Sequence, residues 1–168
     1  MLKKLLCAIT ICCASLEGTM KLTSTAFDHN GAIPAQYTCD GANMSPALAW
    51  SDIPEHTNSF ALIVDDPDAP AKVWVHWILF NIPTTTDSLF ENTKVGPFVQ
   101  GATDFGGKQG YGGPCPPSGT HHYHFTLYAL DTLLDLPAGA TKDQLLKGMR
   151  GHILEQTTLI GTYQRQNK

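Results

Sequence analysis

A single, mainly β domain is what this sequence predicts, on three observations. The apolar stretches are short, such as Phe60-Ala61-Leu62-Ile63-Val64, and rich in β-branched and aromatic residues. Clusters of Pro, Gly, Asp and Asn separate them, in a chain with 15 Gly and 11 Pro. At 168 residues with 42% hydrophobic and 15% charged content, the chain suffices for one sizeable core but falls short of two ordinary domains.

The elements follow in order. Lys3 and Lys4 precede the uncharged run from Leu5 to Ala14, which has the length of a secretory signal and is shorter than the roughly 20 residues that span a bilayer. Residues 1–19 are therefore read as a signal peptide or leader, with cleavage near Ser15, and residues 20–168 as the domain. The alternative is a cytosolic protein whose translation starts at Met20. Residues 1–19 hold Lys3, Lys4 and Glu17, a sum of +1, so the whole-chain charge of -4 leaves the domain near -5. With no Lys/Arg cluster beyond Lys3-Lys4, nucleic acid is excluded as a partner.

Strands are expected at Pro46–Trp50, Phe60–Val64, Val73–Ile82, Phe98–Ala102, His124–Leu130 and Thr157–Tyr163. In Val73–Ile82 both alternating faces are apolar, the pattern of a central strand buried on both sides of its sheet. Alternation there puts His76 on the face of Trp74, Ile78 and Phe80. Thr141-Lys142-Asp143-Gln144 has the capping-box form, and Leu145, Leu146, Met149 and Ile153 recur at helical spacing, predicting a helix from Lys142 to Gln156. The glycine-dense Gly106–Gly113 lacks the Gly-Lys-Ser/Thr ending of a phosphate-binding nucleotide loop and reads as a loop.

Cys39 and Cys115 remain once Cys7, Cys12 and Cys13 go with the leader, and each lies in a Gly/Pro-rich loop. Two unrelated thiols would fit the spacing equally well; the leader favours a disulfide.

Candidate chemistry gathers in two segments. Asp66-Pro67-Asp68-Ala69-Pro70 holds two carboxylates in a proline-stiffened turn, the kind of sequence that also serves as plain turn chemistry. In Gly119–Phe125, alternation places His121, Tyr123 and Phe125 on one face and His122 and His124 on the other. A histidine inside an apolar strand needs a partner, and Asp66 or Asp68 is expected to return beside His76 and raise its pKa. A metal enzyme using His122-x-His124 is the weaker reading, because the carboxylate expected shortly after the His-x-His is missing before Asp131. No serine sits in a Gly-x-Ser-x-Gly elbow.

Together, Asp66–Pro70, Trp74-Val75-His76-Trp77 with Asn81, Thr103-Asp104-Phe105-Gly106, and Gly113–Tyr123 with its Pro-Pro-x-Gly before His-x-Tyr resemble the phosphatidylethanolamine-binding protein family, in its bacterial Raf-kinase-inhibitor-like branch. The resemblance runs from about Met20 to Tyr163. It implies a Greek-key β-sandwich with a few peripheral helices. It also implies a pocket for a small anionic or phosphorylated ligand formed by Asp66, Asp68, His76, His121 and Tyr123, with backbone N–H groups of Gly110–Gly113 as further donors. Val75 and His122 depart from the residues common in that branch, Trp and Arg. A Cys39–Cys115 disulfide, periplasmic or secreted location, homodimer formation and regulation of a protein partner are also implied. No cofactor is expected. The reading is a binding module and not an enzyme, with a hydrolase or metal-dependent enzyme using the same His/Asp/Tyr pocket as the alternative.

Overall fold

The computed structural model describes residues 19–165, so the leader expected at residues 1–19 lies almost wholly outside the described residues. Among the described residues, nine strands form two sheets: β1 (Lys21–Thr23), β2 (Gly31–Ala32), β3 (Leu48–Ser51), β4 (Ser59–Asp66), β5 (Trp74–Pro83), β6 (Ser88–Leu89), β7 (Val99–Gln100), β8 (Thr120–Leu130) and β9 (Ile153–Gln164). The smaller sheet runs β1-β3-β6 and the larger β2-β9-β8-β4-β5-β7. Neighbours such as β4 and β8 are distant in sequence, so the chain crosses between sheets, as a Greek-key sandwich requires. The mainly β expectation holds.

Burial explains why the middle strands do not alternate. One face of the larger sheet presents Phe60, Leu62, Trp77, Leu79, Phe125 and Leu127 to Met20, Leu22, Trp50 and Leu89 of the smaller sheet and its flanks. Its other face presents Ala61, Ile63, Val75, Ile78 and Phe80 to Leu134, Ala140, Leu145 and Met149. Covered on both sides, β4 and β5 gain from apolar residues at every position. β5 is internal, but β4, flanked along its length by β5 and β8, is the more central strand; β7 pairs with β5 at only two positions.

The helix α1 (Lys142–Met149) starts as expected: the Thr141 backbone N–H donates to Gln144 Oε1 at 2.8 Å while the Gln144 backbone N–H donates to Thr141 Oγ1 at 3.3 Å. It ends seven residues earlier than its periodicity predicts. Gly151 turns the chain at φ 83°, and Ile153–Gln156 then pair with Leu130–Tyr128 of β8. Strand pairing along that edge takes residues whose spacing alone reads as helix. A short 3-10 turn, Ala35–Tyr37, precedes Cys39. Cys39 and Cys115 form a disulfide with Cα atoms 5.4 Å apart.

Candidate functional site

Three strand ends and two loops build the site. Asp66 is the last residue of β4, and although it is only 4% exposed, both of its oxygens are satisfied. Oδ1 accepts the Asp68 backbone N–H at 2.9 Å, an Asx-type turn set by the following Pro67, and Oδ2 accepts Nδ1–H of His121 at 2.7 Å. His121, second residue of β8 and 6% exposed, is thus held by a buried carboxylate.

His76 reaches the site through an irregularity. Val64 pairs with Trp77 but Asp65 with Val75, so His76 is an extra residue in β5, a β-bulge. The bulge breaks the alternation that would have grouped His76 with Ile78 and Phe80. Those two pack toward α1, whereas the His76 ring meets Tyr123 edge-on at 5.2 Å and Phe105 at 5.2 Å. Its hydrogen-bond partner also differs from the expected carboxylate: Nδ1 lies 2.6 Å from the Gly112 carbonyl. A carbonyl oxygen only accepts, so Nδ1 carries the proton and Nε2 is the nitrogen left over. Burial, 3% exposure, lowers the His76 pKa against the opposing pull of the Gly112 carbonyl and Asp66, contrary to the rise expected from a direct carboxylate contact.

Tyr123 stands behind both imidazoles, with no exposed surface, its ring stacked on His121 at 6.5 Å between centroids. Its hydroxyl lies near Asp66 and the Cys115 backbone without a hydrogen bond of normal geometry to either, and burial drives its pKa far up, so it is a neutral phenol. Asp68 sits at the rim. Its Oδ2 accepts both the backbone N–H and Nδ1–H of His122, at 2.8 and 2.7 Å, and the His122 side-chain bond chiefly holds the Asp68 carboxyl below its ordinary value.

Asp66, His76 and His121 line a cavity of about 350 Å³ whose remaining wall is mostly apolar: Trp74, Phe105, Pro70 and Pro117, with Cys115 at its edge. Asp68 and Tyr123 support this cavity but do not line it. Of the Gly110–Gly113 donors, Gly112 N–H is spent on the His76 carbonyl at 2.9 Å and Gly113 N–H on Asn43 Oδ1 at 2.7 Å. Sequence reasoning about the site missed the aromatic wall. Phe105 is carried by a turn that Asp104 anchors: Oδ2 accepts Val75 N–H at 2.8 Å, and Oδ1 pairs with Lys72 at 2.6 Å. Burial would raise the Asp104 pKa, but Lys72 and the Val75 N–H outweigh it and leave it lowered. The signal was present in Trp74 and Phe105, aromatic residues within the motif segments.

Among the described residues, no group of three or more His, Cys, Asp or Glu side chains is placed to hold a metal ion. None of their helices is long and apolar enough to cross a membrane.

The family model described as phosphatidylethanolamine-binding protein matches residues 23–164. A UPF0098 protein of Methanothermobacter thermautotrophicus is 53% identical over 151 residues, 87% of this chain and 99% of its own length. A UPF0098 protein of Chlamydia muridarum is 44% identical over the same shares of the two chains. Of solved structures, a phosphatidylethanolamine-binding protein homolog from Chlamydia trachomatis superposes with TM-score 0.84 at 42% identity, covering 88% of this chain and 99% of that one. E. coli YbcL, described as a member of the mammalian PEBP family, superposes with TM-score 0.82 at 32% identity, covering 89% and 100%. With Asp66, His76 and His121 gathered at one cavity and the match running through nearly every described strand, this chain belongs to the phosphatidylethanolamine-binding protein family.

Proposed function

We propose that the domain binds, without transforming it, a small ligand bearing a phosphoryl or similarly anionic group, in the cavity lined by Asp66, His76 and His121. One observation carries this reading: two buried imidazoles, each fixed through Nδ1, line one cavity of ligand size. Imidazole nitrogens hydrogen-bond phosphoryl oxygens, and the Trp74 and Phe105 rings suit the apolar or ammonium part of a head group such as phosphoethanolamine. The family description, phosphatidylethanolamine-binding, supports the same ligand class. In this reading the protein works outside the cytoplasm, where the Cys39–Cys115 bridge persists, as a homodimer that regulates a partner protein.

Titration calorimetry with phosphoethanolamine tests the reading. Saturable binding to the wild type, at least tenfold weaker in His121→Gln, is expected, corresponding to the roughly 1.4 kcal/mol lost with one charge-assisted contact. Phosphate release from the ligand after prolonged incubation would refute binding without turnover, and equal affinity in the variant would move the site elsewhere.

A further inference from the structure

The cavity offers a ligand an unusual set of polar atoms. None of its lining residues is Lys or Arg. Both oxygens of Asp66 are occupied, by the Asp68 N–H and by His121. His76 gives its Nδ1 proton to the Gly112 carbonyl, so in the neutral ring Nε2 carries a lone pair and accepts. An oxyanion oxygen also accepts. Two acceptors cannot share a hydrogen bond unless a proton enters between them.

We propose, resting on the ligand reading above, that the site selects oxyanions able to bring or share a proton, and that each phosphoryl ligand enters with one proton held between its oxygen and His76 Nε2. The groups facing His76 bear on this. From β4 come Asp65 and Asp66, from β8 Tyr123 and His121, and from the 103–113 loop Asp104 and the Gly112 carbonyl. The carboxylates favour the added proton and Tyr123 contributes a neutral phenol. Burial keeps His76 from holding that proton in the empty site. The ligand's negative charge then supplies the stabilisation that burial withholds. A phosphate monoester, with a second pKa of about 6, can itself carry the proton. Inorganic sulfate carries none at neutral pH, so it must place the whole proton on His76.

Calorimetry of phosphoethanolamine binding at pH 8, run in Tris and in a phosphate-free buffer of small ionisation heat, measures the protons taken up. The expected result is uptake of about one proton and an affinity that falls about tenfold per pH unit between pH 7 and pH 9. Inorganic phosphate should bind at least tenfold more tightly than inorganic sulfate at pH 8, a comparison made on the wild-type protein and independent of any variant. In His76→Gln, whose amide donates without protonation, uptake should vanish. Binding with no proton uptake, or phosphate and sulfate of equal affinity, overturns this inference and leaves the ligand-binding reading standing. Absence of any binding overturns both.

Discussion

Replacing both Cys39 and Cys115 by alanine should lower stability by an amount set by the unfolded chain. The two residues are 76 apart in sequence. In the chain-entropy description a loop of that length loses about 15 cal/mol/K on closure, or roughly 4.5 kcal/mol at 25 °C. The native geometry should survive, because other contacts tie the same two loops: Cys39 N–H to the Pro114 carbonyl at 3.0 Å, Tyr111 hydroxyl to the Tyr37 carbonyl at 2.9 Å, and Gly113 N–H to Asn43 at 2.7 Å. The loss therefore arises mainly from the freed denatured ensemble and should approach the calculated value. For a domain of this size each kcal/mol shifts Tm by roughly 2–4 °C, so a fall of roughly 9–18 °C is expected. Urea unfolding and calorimetry of the oxidised wild type against the double variant measure it. Near-identical folded spectra with a loss under about 1 kcal/mol would refute the reasoning, since the bridge would then not be constraining the unfolded chain.

Three further outcomes follow from packing, ionisation and capping. A Cβ on Gly161 would stand 2.5 Å from Ile33 Cγ1 and 2.7 Å from Phe27 Cε2, so Gly161→Ala should cost about 1–3 kcal/mol in urea unfolding. The native His76 pKa lies below its unfolded value of about 6.5, so the unfolded state binds more protons. This contribution to stability is present above about pH 6.5 and is lost as pH falls toward the native value. Urea midpoints at pH 7.5 and 5.5 should show a smaller acid loss in His76→Phe than in the wild type. Thr141→Ala removes the α1 cap and should cost about 1 kcal/mol.

How far the sequence was legible depends on where local rules meet tertiary pairing. The alternation of β8 correctly separated His121 and Tyr123 from His122, because that strand pairs with β9 without a break from Thr120 to Ala129. The same rule failed for His76, where a bulge that depends on the β4 register changes the phase of β5. The choice of carboxylate partner was equally out of reach: Asp66 meets His121, 55 residues away, and Asp68 meets His122, an outcome of three-dimensional docking and not of spacing along the chain. The Thr141 capping box was readable because it is local, whereas the helix end was not, because β8 claims Ile153–Gln156. The small strands β1, β2 and β6, two or three residues each, are too short to leave a periodic signal.

Long-range 1H–15N spectra of the histidine rings during titration with phosphoethanolamine test the central claim most directly. The account predicts saturable shifts at the Nε2 resonances of His76 and His121, with those of His56 and His152, which do not line the cavity, unchanged. Saturable binding that leaves His76 and His121 unmoved would contradict it.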